Sequence, residues 1–322
     1  METIFFVAEG RMGMIRGGDV VMLPAEGGPE AEVKGISAAD GKLYYSRLEM
    51  ETGCVYAKPA ERPAGPPDEA VLRCREMPIY EIGGREGAMA AVTSRGVDGV
   101  RRQIALFTLP RGYYTLIADG DEVAESPSWG RDGSLLYFTT RACRRDVNGR
   151  VTGYEPSAVM AYDPATHECV RLFASPDYDY CAPREGRAGA YYFVRRPYRE
   201  LDNRLSRRLA RLLGYLAGRL RGGKRGKEAL PAPPKGPVAA PQGRDEPPEV
   251  APRSWELMRA KRYSAPAVVK KGVLAFDLLE DGCIVYSDGS QVLKIHRDGK
   301  EKVLAEVPKV TALCAVDAAN PG

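Results

Sequence analysis

Histidine is nearly absent: the 322 residues hold two, His167 and His296. Histidine-centred nucleophilic triads and multi-histidine metal sites therefore have little to draw on. No GxSxG elbow and no HExxH helix occurs, so neither signature of common hydrolase chemistry is present. No run of 18 apolar residues exists, which argues against a membrane-spanning helix. The first residues, METIFFVAEG, have no basic start and no long apolar stretch, so a signal peptide is not expected. Cysteine is present but not patterned. Seven residues lie at 54, 74, 143, 169, 181, 283 and 314, an odd number with wide spacing and no CxxC. That predicts reduced thiols in a cytoplasmic protein, and neither a disulfide framework nor structural zinc. Cys283 and Cys314 fall in apolar runs and are expected in the core.

What is there is globular in composition, with 44% hydrophobic and 28% charged residues. The net charge of +4 is uneven. Residues 201–227 carry nine of the 47 Lys/Arg and one of the 43 Asp/Glu, Asp202, so the rest of the chain is slightly acidic. The basicity is a local feature.

Short runs rich in aromatic and β-branched residues recur: IFFVA, LYYS, MAAVT, LLYFTT, YYFVR and CIVYS, with apolar starts at 4, 43, 89, 135, 191 and 284. The spacing is 39, 46, 46 and 56, then 93 where one repeat carries an insertion. A period near 40–46 residues is that of a four-stranded propeller blade. Tight Gly/Asp/Glu turns separate strands within each unit, as in VLAFDLLEDG-CIVYSDGS-QVLKIHRDG-EKVLAEV. The chain begins in the phase of a second strand and ends, at VTALCAVDAANPG, in the phase of a first. The sequence thus predicts an all-β, six-bladed β-propeller whose ring is closed by the C-terminal strand joining the N-terminal blade.

The stretch PSWGRDGSLLYFTT (127–140) resembles the WD40-like repeat of TolB-type propellers, P-x-W-S-P-D-G-K-x-hydrophobic-x-F-x-S, with Arg131 where that family usually has proline. ISAADGKLYYSR and AFDLLEDGCIVYSD keep the Asp-Gly turn and aromatic strand without the tryptophan. The resemblance implies six blades. Functionally it implies a range: docking platforms, carbohydrate or lactone enzymes, and peptidase lids.

Connections between second and third strands are expected to be elaborated, at 9–18, 94–102, 141–157 and about 196–254, all on one face. The largest divides the chain into propeller, 1–200 and 254–322, and insertion, 201–253. The insertion opens with a predicted amphipathic helix. Leu201, Leu205, Leu209, Leu212, Leu213, Leu216 and Leu220 fall on one face, and a basic set follows: Arg204, Arg207, Arg208, Arg211, Arg219, Arg221, Lys224 and Arg225. Eight prolines in 228–253 make the remainder a tether that cannot form a core. The leucine face has three destinations: the propeller itself as a lid, an anionic membrane surface, or a protein partner. The arginine surplus favours an anionic surface or partner, with the protein peripheral at the membrane. Nucleic acid is disfavoured, because Tyr215 is the one aromatic among the arginines.

No catalytic residue, metal site or cofactor is expected. Gly218, Gly223 and Lys224 fit GxxxxGK, but Arg225 stands where a magnesium-binding Ser/Thr belongs and a helix precedes the motif. Asp146, Asn148 and Glu155 lack the spacing of a calcium loop. Asp119, Asp121, Glu122 and Glu125 form either a solvated turn or a dock for something basic. The sequence therefore points to a non-catalytic binding or scaffold module. The alternative is a propeller-family hydrolase or lyase at the channel mouth, for which Asp277 is the main acid on offer.

Overall fold

In the computed structural model, the described residues are 2–26, 32–49, 52–65, 68–75, 77–94, 102–117, 120–198, 248–262 and 264–316. They form six antiparallel sheets arranged as the blades of a propeller. Strands within a blade are lettered a to d from the channel outward. Blade two is Val33–Ala39, Lys42–Glu49, Thr52–Pro59 and Glu69–Cys74. Blade three is Ile79–Arg85, Ala88–Ser94, Arg102–Thr108 and Tyr113–Leu116. Blade four is Glu122–Trp129, Leu136–Arg145, Ala158–Tyr162 and Cys169–Phe173, with Val151–Tyr154 folding back on strand b. Blade five is Tyr178–Glu185, Ala190–Pro197, Glu256–Lys261 and Ala267–Lys271. Blade six is Ala275–Leu278, Ile284–Ser287, Gln291–Ile295 and Glu301–Glu306. Blade one takes b, c and d from Thr3–Ala8, Arg11–Arg16 and Asp19–Met22, and its a strand is Val310–Val316, antiparallel to Thr3–Ala8.

Each blade is a sheet with apolar side chains on both faces, so the core is divided among the gaps between blades. Ile4 and Phe6 pack toward blade six, with Val285 and Val292. Phe5 and Val7, their neighbours in the strand, pack toward blade two, with Leu43 and Tyr45. The alternation of side chains along a strand sends successive residues to opposite gaps. A b strand buried on both faces must therefore be apolar at every position, which is why IFFVA and AMAAVTS read as continuous runs. Cys283 and Cys314 are buried in this core.

The turns obey the same local chemistry. Glu9-Gly10 and Asp40-Gly41 both have positive φ at both positions, 50° and 73°, then 53° and 69°. That is the backbone of a type I′ hairpin, whose twist matches the strands it joins. Glu9-Gly10 is the whole b–c connection of blade one, so the elaborated loop expected over 9–18 does not exist: Arg11–Arg16 is strand c. Its alternation, Arg-Met-Gly-Met-Ile-Arg, was masked by two glycine-containing turns lying close together. Elaboration on the b–c face is confined to blades three, four and five. The opposite face has one long connection, 60–68, in blade two.

The predicted helix and most of the tether lie outside the described residues. The tether's last residues do not: 248–252 lie against blade six. Ala251 is buried and its N–H donates to the Asp288 carbonyl at 2.7 Å. The Glu249 carboxylate is 3.3 Å from Lys309. This stretch is ring rather than insertion, because the Asp288-Gly289 turn offers it a backbone partner and a gap where no side chain stands. Among the described residues the single helical element is the 3-10 turn Arg187–Gly189.

Candidate functional site

The a strands wall the central channel, and at least one polar tie crosses each gap between them. The Ser37 hydroxyl accepts the Gly84 N–H at 2.9 Å, joining blades two and three. Trp129 Nε1 donates to the Gly83 carbonyl at 3.0 Å, joining three and four. The Ser128 hydroxyl donates to the Pro183 carbonyl at 2.5 Å, joining four and five. Arg184 Nε lies 3.3 Å from Asp277 Oδ1, joining five and six. Asp277 Oδ2 accepts the Ala315 N–H at 2.8 Å, joining six and one. The Ala38 N–H meets the Cys314 thiol, completing the circle. Two glycines permit this closeness: a Cβ on Gly35 would stand 2.7 Å from the Tyr80 carbonyl, and one on Gly83 2.8 Å from that of Pro127.

Asp277 is thus a double bridge. Burial pushes its carboxyl above the usual range, against the Arg184 guanidinium and the Ala315 N–H that favour its ionised form. Burial and the nearby Asp277 charge push the Cys314 thiol up, so it stays protonated. Trp129, the tryptophan of the resembling motif, is also stacked under Arg85 at 4.0 Å. Arg131, in the position where proline is usual, extends over the mouth to Glu280, 2.7 Å away. Its N–H donates to Glu185 at 3.2 Å.

The other sequence-predicted residues resolve as follows. Arg204, Arg207, Arg208, Arg211, Arg219, Arg221, Lys224, Arg225 and the leucine face Leu205, Leu209, Leu212, Leu213, Leu216 and Leu220 lie outside the described residues. So does Asp119. The rest of its acidic group is matched internally. Asp121 pairs with Arg145 and Glu122 accepts from Thr140. Buried Glu125 meets Arg102 at 2.8 Å and Arg141 at 3.8 Å. These acids hold the b–c arms of blades three and four in place, and a dock for a basic partner is not what they form. The Asp146 carboxylate accepts the Asn148 and Arg150 N–H groups at 2.9 and 3.0 Å, and those bonds hold its pKa below the usual range. Glu155 pairs with Arg144. His167 sits in a turn at φ 61°, its Nδ1 2.8 Å from the Tyr162 hydroxyl. His296 begins the turn that follows strand c of blade six.

Two arrangements were not read from the sequence. On the b–c face, arginines stack on aromatics in blades three to five: Arg102 on Tyr80, Arg141 on Tyr154, Arg195 on Tyr178 and Arg196 on Trp255, at 4.9, 4.4, 4.3 and 4.0 Å. On the opposite face a cleft of about 360 Å³ opens between blades five and six. Its floor includes Leu279, Ile284 and Ile295, with Tyr192 beside them, and its rim carries Arg187, Arg259 and Arg297. Each arginine is isolated in sequence, two in turns and one mid-strand, so no local signal could have grouped them.

No protein-family model and no curated protein matches the sequence. Solved structures do match in fold. TolB from Acinetobacter baumannii is similar with a TM-score of 0.60 at 11% identity, over 98% of this chain and 66% of that one. The tricorn protease is similar with a TM-score of 0.53 at 12% identity, over 94% of this chain and 33% of the other. The chain spans slightly less than two thirds of the length of that TolB and about a third of the tricorn protease. At these identities the likeness establishes the fold: a six-bladed β-propeller structurally similar to TolB.

Proposed function

We propose that this TolB-like propeller is a non-catalytic binding module, held at an anionic membrane surface or anionic partner by its basic insertion, 201–227. One observation carries the reading. The insertion leaves and re-enters a ring that is complete without it, and both of its ends are tied down. On one side Tyr198 donates its hydroxyl to the Tyr154 carbonyl at 2.5 Å and its N–H to that of Asp177 at 2.8 Å. On the other side Ala251 is bonded to Asp288. Strands b and c of blade five pair in full register from Ala190↔Lys261 to Arg195↔Glu256. A segment with seven leucines and nine basic residues, set outside the described strands that complete all six blades, is suited to attachment.

The channel mouth supports a non-catalytic role. Its carboxylate, Asp277, lines the mouth, but both oxygens are engaged, Oδ1 by Arg184 and Oδ2 by the Ala315 N–H. A general acid or base must instead have an oxygen free to meet the reacting group.

Co-sedimentation with vesicles tests the proposal, using the intact chain and a variant with Arg204, Arg207, Arg208 and Arg211 changed to Gln. Binding to anionic and not to neutral vesicles, weakened at high salt and reduced in the variant, is expected. Equal binding by variant and parent would rule out attachment through this segment. Loss of binding to anionic vesicles by both, with a basic-segment-dependent protein partner recovered instead, would move the anchor from lipid to protein.

A further inference from the structure

The cleft between blades five and six has a composition that the ring itself does not require. Its floor is apolar: Leu279, Ile284 and Ile295 are buried, and Tyr192 and Leu278 stand at the side. Leu279 and Ile284 come from blade six and Tyr192 from blade five, so the floor spans the gap. Above it basic groups dominate: Arg187, Arg259 and Arg297 stand at the rim, with Asp281 the one acid of the lining. Arg187 and Arg259 are exposed and make no hydrogen bond or ion pair among the described residues. Arg259 faces Tyr192 across the b–c pairing, which brings its guanidinium to the cleft. Arg297 is held at the rim by donating Nε to the Asp281 carbonyl. Arg187 Cδ and Arg297 Nε stand 3.8 and 3.5 Å from where a Cβ of Gly282 would be, so the two side chains converge over that turn.

The neighbouring acids offset this set only in part. Glu280 is paired with Arg131 at 2.7 Å. The Asp281 carboxylate accepts the Cys283 N–H at 2.7 Å and faces Lys294 at 3.9 Å. Converging guanidinium groups repel one another, an unfavourable contact that an anion between them reverses. An anionic head over an apolar floor defines the ligand's two ends. A volume of about 360 Å³ falls in the range of small-ligand sites, roughly 300–1,000 Å³.

We infer that this cleft binds a small apolar anion: an aromatic or short aliphatic body on the Leu279–Ile284–Ile295 floor, with a phosphate or carboxylate held by Arg187, Arg259 and Arg297. The inference goes beyond the attachment role and shares no residue with it, so each can fail alone.

The probe is 1-anilinonaphthalene-8-sulfonate, an aromatic anion whose emission rises in apolar sites, titrated into the full chain. Its uncharged relative, N-phenyl-1-naphthylamine, is the control for floor without charge. Saturable binding of the anion, tighter than that of the neutral probe and weakened by salt, is expected. The Arg187→Gln/Arg297→Gln variant should bind roughly tenfold more weakly, while Arg150→Gln, in an exposed turn of blade four, should match the parent. Hydrogen exchange should slow over 279–284 and 295–299 on binding. Phenyl phosphate and benzoate, added as competitors, separate the two head groups; displacement by either supports the site and names its preference. Absence of saturable binding, equal affinity for the neutral probe, equal affinity of the double variant, or displacement by neither competitor would overturn the inference.

Discussion

Lys58 and Asp68 are charged residues placed where charge is costly. Their side chains are 4% and 5% exposed and meet at 2.8 Å in the gap between blades one and two. Lys58 also donates to the Pro24 carbonyl at 2.6 Å, and the Tyr45 hydroxyl donates to Asp68. This network anchors the long c–d connection of blade two, the exception on its face. Removing one partner leaves the other buried and unmatched, which costs about 3–5 kcal/mol. Asp68→Ala should therefore lower the urea midpoint strongly. Replacing both, as Lys58→Met with Asp68→Leu, should recover much of the loss, and chemical denaturation of the two variants checks it. Neither residue stood out in the sequence, where Lys58 precedes a proline-rich loop and Asp68 ends it. Contact across ten residues of irregular chain has no periodicity to betray it.

At the level of elements, the ring depends on turns and on its closing strand. Asp132, Asp146, Asp163, Asp281, Asp288 and Asp298 each accept a backbone N–H two residues on, from Ser134, Asn148, Ala165, Cys283, Ser290 and Lys300. All six carboxyls are held below the usual range. For Asp132, Asp146, Asp163 and Asp298 a backbone bond is the largest cause; for Asp281 and Asp288 burial is the largest single effect and pushes up, and hydrogen bonds together, joined at Asp281 by the Lys294 and Arg297 charges, outweigh it. A carboxyl lowered by folding adds stability above its unfolded pKa, near 3.9, and that contribution is lost as pH falls through the folded value. The melting temperature should accordingly fall as pH drops below about 4. Asp277, raised by burial, runs the other way: it disfavours the fold as pH rises through its folded value. Changing the six turn aspartates to Asn should flatten the acid limb, measured by calorimetry. The Asp-Gly turns were legible because a two-residue device leaves a two-residue signature. The closing strand was legible by phase, and its partner is now defined: Val310–Val316 registers against Thr3–Ala8 with Cys314 opposite Phe5. Deleting 309–322 should remove that pairing, the Ala315 tie to Asp277, and Cys314, Ala312 and Val316 from the gap between blades one and two. The expected outcome is loss of cooperative unfolding; a melt within a few degrees of the full chain would show closure to be dispensable.

For the whole molecule, the propeller should fold without residues 199–247. The linker that replaces them must leave 248–253 in place, since Ala251 and Glu249 belong to the packing of blade six. With that boundary, circular dichroism and melting temperature should match the parent. With the cut moved to 253, the Asp288 carbonyl loses its partner and the gap behind Gly289 empties, so the melting temperature should fall. Comparing the two replacements separates insertion from ring.

The sequence by itself determined what depends on near neighbours. The blade period, the strand phases, the hairpin turns and the basic segment all follow from residues within one repeat, because alternation and turn chemistry act over a few positions. Residues 248–252, which bond to blade six, were grouped with the insertion because eight prolines make 228–253 one compositional block. Tertiary structure alone decided what depends on the ring. Arg184 meets Asp277 across 93 positions, and Lys294 meets Glu2 across 292. The three arginines of the cleft come from a turn, a strand and another turn of two blades. Such meetings are set by the angle at which blades pack about the channel, a quantity carried by the whole circle of side chains and by no single stretch of it.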